Sequence, residues 1–257
     1  MLGAICGDII GSRFEWNRIK TTEFDLFAPE CKFTDDTVLT VAVADSIMSK
    51  FAPEDVYRYW CLTNLNRGYG GMFKHWIYGM IAKPYNSFGN GSAMRTSAVG
   101  WFYNDIDTVM ERAEYFAAIT HNHPEGIKGA QAVSVAIFKA RTGSTKDEIK
   151  QYIEELFNYD LSRTVDSIRS DYKFDETCQG SVPESIICFL ESTDYESAVR
   201  LAISLGGDAD TQAAIAGSIA EAFYGGVPRD IIANAAEYLT DDMKYLIKEF
   251  YKTIKEN

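Results

Sequence analysis

A chain of 257 residues, 46% hydrophobic and 24% charged, can bury the core of one large domain, and no Pro/Ser/Gly-rich or low-complexity tract divides it. Its net charge of −12 excludes a broad basic surface for nucleic acid or anionic membrane, but not a small anionic ligand held by backbone amides. No apolar run reaches the roughly 20 residues of a membrane span. Cys6, Cys31, Cys61, Cys178 and Cys188 are scattered, odd in number and without a CxxC pair, which suggests reduced thiols in a cytosol.

Met1–Ser12 reads as a buried helix, with Leu2, Ile5, Cys6, Ile9 and Ile10 at helical spacing. It carries Asp8 and lacks a basic leader, so it makes a poor signal peptide, and the expected location is cytoplasmic. Gly3, Gly7 and Gly11 lie four apart and form a smooth stripe for a close-packed helix or a ligand. Asp8, and Glu15 just beyond, are carboxylates beside this apolar surface; Glu15 alone reads as a solvated loop residue. Thr21–Cys31 reads as loop. Thr34-Asp35-Asp36-Thr37 opens an apolar helix that runs to about Lys50. Pro53 suits the start of the next helix, ending near Asn66, and a shorter one covers Met72–Ala82.

Tyr85–Arg95 holds Ser87, Phe88, Gly89, Asn90, Gly91 and Ser92 and runs into a predicted helix, Ala93–Phe102. Such a glycine-rich loop before a helix either cradles a phosphate with free N–H groups or is only a turn. Helices are predicted over Ile106–Thr120 and Glu125–Arg141, joined by His121-Asn122-His123-Pro124. Histidines two apart in a turn share no helix face, which argues against a metal pair. A contact from one histidine to a ligand oxygen and a structural hydrogen bond remain open. Lys146–Phe157 is an amphipathic surface helix, and Leu161–Gly180 is ambiguous. Ser185–Glu191 and Tyr195–Leu205 lead to Gly206-Gly207-Asp208-Ala209-Asp210-Thr211, which heads an apolar helix to about Tyr224. Pro228–Tyr238 and Asp241–Lys255 close the chain. With no alternating strand pattern and no fixed-period repeat, the predicted fold is all-α in a single multi-helix domain. A monomer is the expectation.

Asp and Thr at a helix start are ordinary capping residues. Two such acidic clusters, each heading a buried helix, also read as halves of one site. Asp35, Asp36, Asp208 and Asp210 brought together would need a cation or raised pKa values. Thr34, Thr37 and Thr211 add neutral oxygens. An all-oxygen shell selects a hard ion such as Mg²⁺, Mn²⁺ or Ca²⁺ over zinc, and two helix starts could hold two of them.

The paired Thr-Asp-Asp-Thr and Gly-Gly-Asp-Ala-Asp-Thr motifs resemble those of the ADP-ribosylglycohydrolases. The likeness extends to Gly7-Asp8-Ile9-Ile10-Gly11 with Glu15 behind it, to Ser87–Arg95 and to Thr120-His121, and so covers nearly the whole chain. It implies an all-α fold with two divalent ions, Mg²⁺ or Mn²⁺, cleaving ADP-ribose from a modified protein or small molecule. Carried over by position, Thr34, Asp35, Asp36, Asp208, Asp210 and Thr211 would hold the ions, which in turn would hold the distal ribose hydroxyls. Glu15 would sit at the cleft mouth by the scissile end. Ser87–Ser92 would line the pyrophosphate and adenosine, with Phe88 stacking on adenine, and His121 would reach the diphosphate or ribose. Base duty falls to Asp36 ahead of Asp35. ADP-ribosyl-arginine is the expected substrate. Serine, O-acetyl and nucleic-acid linkages, a metal-dependent phosphohydrolase and a non-catalytic ADP-ribose binder are the alternatives. The acceptor depends on rim loops such as Lys20–Phe33 and Leu161–Gly180.

Overall fold

The structure, a computed structural model, describes residues 1–256. In chain order its helices are α1 (Leu2–Gly11), α2 (Asp35–Ser49), α3 (Pro53–Thr63), α4 (Gly71–Ile77), α5 (Ser97–Phe102), α6 (Ile106–Ala118), α7 (Pro124–Arg141), α8 (Lys146–Phe157), α9 (Val165–Arg169), α10 (Cys178–Glu191), α11 (Tyr195–Ser204), α12 (Ala209–Tyr224), α13 (Arg229–Ala236) and α14 (Asp241–Glu256). Among the described residues there is no strand, only an isolated antiparallel bridge between Gly89 and Thr177. The all-α expectation holds.

At the centre lies α12, every residue of which from Ala209 to Ala222 is buried, wrapped by α1, α7, α10 and α11. Its small and apolar residues on all faces permit this, since a helix without a polar stripe has no face to offer water. The glycine stripe of α1 sets the tightest packing. A Cβ on Gly3 would fall 2.2 Å from the Gly217 carbonyl oxygen, on Gly7 2.2 Å from that of Ala213, and on Gly11 2.6 Å from that of Ala209. Numbers that rise on one helix as they fall on the other mean an antiparallel pair in fixed register. The partner anticipated for the stripe is thus a helix. The same register carries the C-terminal end of α1 to the N-terminal end of α12.

Several boundaries differ from the sequence pattern. α4 stops at Ile77, short of Ala82, because Gly79 takes a left-handed φ of +73° just beyond it. The helix anticipated over Ala93–Phe102 begins only at Ser97, as α5, and a three-residue 3₁₀ turn, Asn90–Ser92, precedes it. α10 starts seven residues before Ser185, with Thr177 accepting the Gly180 N–H as its cap. Pro183 sits in its second turn, where it costs one internal hydrogen bond without ending the helix. The ambiguous Leu161–Gly180 stretch contains α9, capped by Thr164.

Candidate active site

Three helix ends meet at the site, two of them joined through one carboxylate. Asp8, in the last turn of α1, accepts hydrogen bonds from the Thr34 N–H (3.0 Å), the Thr34 hydroxyl (2.7 Å), the Thr37 N–H (3.1 Å) and the Thr37 hydroxyl. It therefore clamps the start of α2, where Thr34 also caps the helix by accepting the Asp36 N–H at 3.3 Å. From α12, the Thr211 hydroxyl donates to Asp36 Oδ2 at 3.2 Å. Carboxylate oxygens of Asp8, Asp36 and Asp210 lie within 4.8 Å of one another, and so do those of Glu15, Asp208 and Asp210. The two groups share Asp210. Asp35 stands half-buried beside them, its N–H donating to the Arg67 carbonyl at 2.7 Å.

Crowding and burial raise the proton affinity of every member. Burial first, then the charges of Asp8, Asp35 and Asp208, put Asp36 well above the usual carboxylate range. Burial, followed by Asp208, Asp36, Glu15 and Asp8, does the same to Asp210. Asp35 is pushed up to about 8 by burial and by Asp8, and Glu15 to about 7 by burial and by Asp208, with Lys32 opposing. Asp8 and Asp208 rise as well, by burial, against the hydrogen bonds that Asp8 accepts from Thr34 and Thr37 and that Asp208 accepts from Asn90. Asp36 Oδ1 is buried without a hydrogen-bond partner. An orphaned carboxylate oxygen among oxygen-only donors fits a hard divalent cation, which would satisfy the lone pair and balance the charge.

Glu15, Asp35, Asp36, Asp208, Asp210 and Thr211 form one wall of a cleft of about 490 Å³, with Asp8 buried behind them. Ser87, Phe88, Gly89, Asn90, Gly91 and His121 line the facing wall. Phe88 is 43% exposed and meets His123 edge-on at 5.2 Å. Asn90 joins the walls, its amide donating to Asp208 Oδ2 at 2.7 Å. Two anticipated residues do not face the cleft. Ser92 is fully buried beneath the loop, donating to the Gly126 carbonyl at 2.7 Å. Thr34 turns its hydroxyl to Asp8. Nor does the loop head a helix: its Asn90 N–H donates to the Glu176 carbonyl (2.8 Å), and the Cys178 N–H donates to the Phe88 carbonyl (2.9 Å).

That pairing brings Phe174, Glu176 and Thr177 from the 161–180 stretch to the cleft, whereas the Lys20–Phe33 stretch supplies none of its lining. Trp16, 75% exposed, stacks on Phe174 at 5.6 Å beside Glu15. Sequence reasoning named Asp8 without assigning it to the metal set and missed Trp16, Phe174 and Glu176. The lone charge of Asp8 in an apolar helix was the available signal; the aromatic rim had none.

A family model for ADP-ribosylglycohydrolase matches residues 1–257. The chain belongs to the ADP-ribosylglycohydrolase family. It is similar to ADP-ribosylhydrolase ARH3 of Homo sapiens, at 26% identity over 88% of this chain and 84% of that protein. It is likewise similar to ADP-ribosylhydrolase ARH3 of Xenopus tropicalis, at 25% identity over 88% and 86%. A solved structure described as an ADP-ribosylglycohydrolase-related protein complex superposes with a TM-score of 0.71 at 22% identity, covering 98% of this chain and 96% of that one, and shares the fold. As an ADP-ribosylglycohydrolase, the chain is an enzyme that hydrolyses glycosidic bonds of ADP-ribose. None of its described helices is long and apolar enough to cross a membrane.

Proposed function

We propose that this ADP-ribosylglycohydrolase releases ADP-ribose from modified arginine side chains of proteins in the cytosol, acting as a monomer of one domain, residues 1–257. The observation that carries the acceptor is the cleft mouth. There, Glu15 and Glu176 stand next to the Trp16–Phe174 stack, and Arg18 already lies over the Phe174 ring at 4.7 Å. The exposed ring of Trp16, flanked by these carboxylates, suits the guanidinium of the substrate by a cation–π contact.

In this reading Asp35, Asp36, Asp208, Asp210 and Thr211, joined by Asp8, would hold two Mg²⁺ or Mn²⁺ ions, with Thr34 held back on Asp8. When bound, these ions supply Lewis-acid polarisation and neutralise the converging carboxylates. The Ser87–Gly91 loop and His121 hold the diphosphate and adenosine, with Phe88 against the base. Glu15 positions the scissile end. Asp36, with Oδ2 oriented by Thr211, takes a proton from the attacking water; Asp35 is second choice. The water oxygen bonds to the ribose C1, the C1–nitrogen bond breaks, and the proton passes to the departing guanidine, leaving ADP-ribose and arginine.

The deciding experiment incubates the enzyme with ADP-ribosyl-arginine and ADP-ribosyl-serine peptides, with Mg²⁺, with Mn²⁺ and with EDTA, and follows products by mass spectrometry. Release of ADP-ribose from the arginine peptide alone, abolished by EDTA, is expected. Release only from serine would overturn the acceptor, and equal release in EDTA would overturn the metal set.

A further inference from the structure

Arg95 lies between the glycine-rich loop and α5, fully buried, and lines the cleft floor. Its guanidinium is always charged, yet no carboxylate pairs with it among the described residues. It is held by the C-terminal end of α6. Nη2 donates to the Phe116 carbonyl (3.0 Å), the Ala117 carbonyl (3.2 Å) and the Thr120 hydroxyl (3.1 Å), while Nε and Nη1 have no partner. The negative end of a helix dipole explains how a cation is tolerated there.

The Thr120 contact has a further consequence. A hydroxyl has one hydrogen to give, and towards arginine, which cannot accept, Thr120 Oγ1 acts only as acceptor. With one lone pair of Oγ1 engaged by Arg95, its hydrogen is directed to its nearest partner, His121 Nδ1, at 2.7 Å. An Nδ1 that accepts is unprotonated, so the neutral ring carries its proton on Nε2. Burial and the Arg95 charge together hold the His121 pKa well below its ordinary value, which keeps the ring neutral. Nε2 stands over the loop: a Cβ on Gly91 would fall 3.2 Å from it, and one on Gly89 3.6 Å.

We infer that Arg95 and Thr120 are positioning residues that fix His121 as the Nε2–H tautomer, so that it presents a standing hydrogen-bond donor to a ligand oxygen above Gly89 and Gly91. The inference rests on the proposed use of this loop for the ADP-ribose diphosphate or ribose. A donor fixed before the ligand arrives costs no reorganisation on binding.

The test reads tautomer and affinity separately. In ligand-free, ¹⁵N-labelled enzyme at pH 7, long-range ¹H–¹⁵N spectra distinguish the two ring nitrogens. Only His75, His121 and His123 contribute, and His121→Gln assigns the signal. The expected pattern is a protonated Nε2 and a bare Nδ1. Thr120→Val, which deletes the donor to Nδ1, mixes the tautomers and weakens ADP-ribose binding about tenfold. Thr120→Ser restores both. Arg95→Met, which releases the lone pair of Thr120 Oγ1 that Arg95 engages, raises the share of the Nδ1–H form.

A wild-type spectrum with Nδ1 protonated overturns the relay without recourse to any variant that fails to fold. So does a folded Thr120→Val enzyme with unchanged tautomer and affinity. The expected tautomer in an enzyme that does not bind ADP-ribose upholds the relay and overturns the reading of the cleft.

Discussion

Asp36 is held on one oxygen and free on the other, and this asymmetry makes its replacement informative. Asp36→Asn keeps the shape and the Thr211 contact but removes the charge and the proton acceptor. Turnover of ADP-ribosyl-arginine peptide should fall by at least about 100-fold, the usual scale for losing a general base. Its melting temperature should hold or rise in metal-free buffer, because one repelling charge is gone from a buried cluster. Full turnover would remove Asp36 from the mechanism and promote Asp35. His121 poses a different question of charge. Its folded-state pKa lies below the unfolded value, so both states are neutral above about pH 6.5, and there the group has no effect on stability. As pH falls below that, only the unfolded chain takes up the proton, and stability is lost. Wild-type enzyme should therefore lose more unfolding free energy than His121→Gln between pH 7 and pH 5, by on the order of 1–2 kcal/mol. Urea melts at the two pH values measure it, and parallel losses would place a charged His121 in the folded enzyme.

At the scale of helices, the register of α1 against α12 places the carboxylates. Gly7 touches the Ala213 backbone so closely that even a methyl group meets main chain, which cannot swing aside as a side chain can. Gly7→Ala should cost roughly 3 kcal/mol, the upper part of the overpacking range, and lower Tm by roughly 6–12 °C for a chain of this size. Calorimetry tests this, and an unchanged Tm would show that the pair slides freely. The stripe was legible in sequence because a four-residue glycine repeat has little other use in an apolar helix, and the two acidic caps were legible because each heads an apolar run. Other features were not. Glycines at 89 and 91 fit a phosphate loop before a helix, but the loop is instead pinned to residues 176–178 by backbone hydrogen bonds, and backbone pairing leaves no mark on side-chain pattern. Trp16 and Phe174 meet across more than 150 positions, so nothing local announces their stack. Asp8 appeared in the sequence as a charge in an apolar helix, but its four hydrogen bonds depend on the α1–α2 approach, which only the folded chain shows.

For the molecule as a whole, the acidic balance has a place. A chain of net charge −12 adds to its own repulsion by gathering carboxylates from α1, α2 and α12 at one buried point. Asparagine and the threonines offset part of this through hydrogen bonds, yet Asp36 Oδ1 is left bare. Such a cluster is stable only if protonated or filled, and a cation that binds the folded chain alone raises its stability by mass action. Mn²⁺ or Mg²⁺ at a hundredfold excess over Kd should add about 2.7 kcal/mol and raise Tm by roughly 5–10 °C, saturably. The gain should be much smaller in Asp210→Asn, since Asp210 belongs to both carboxylate groups, whereas removal of an acid from only one of them should leave part of it. The sites being all-oxygen, Mn²⁺ and Mg²⁺ should raise Tm without the need for thiolate or imidazole ligands. Differential scanning fluorimetry with metal titration reads all of this. A Tm that ignores both ions, or an equal gain in Asp210→Asn, would mean that the charge is balanced by protons and that the cleft holds no cation.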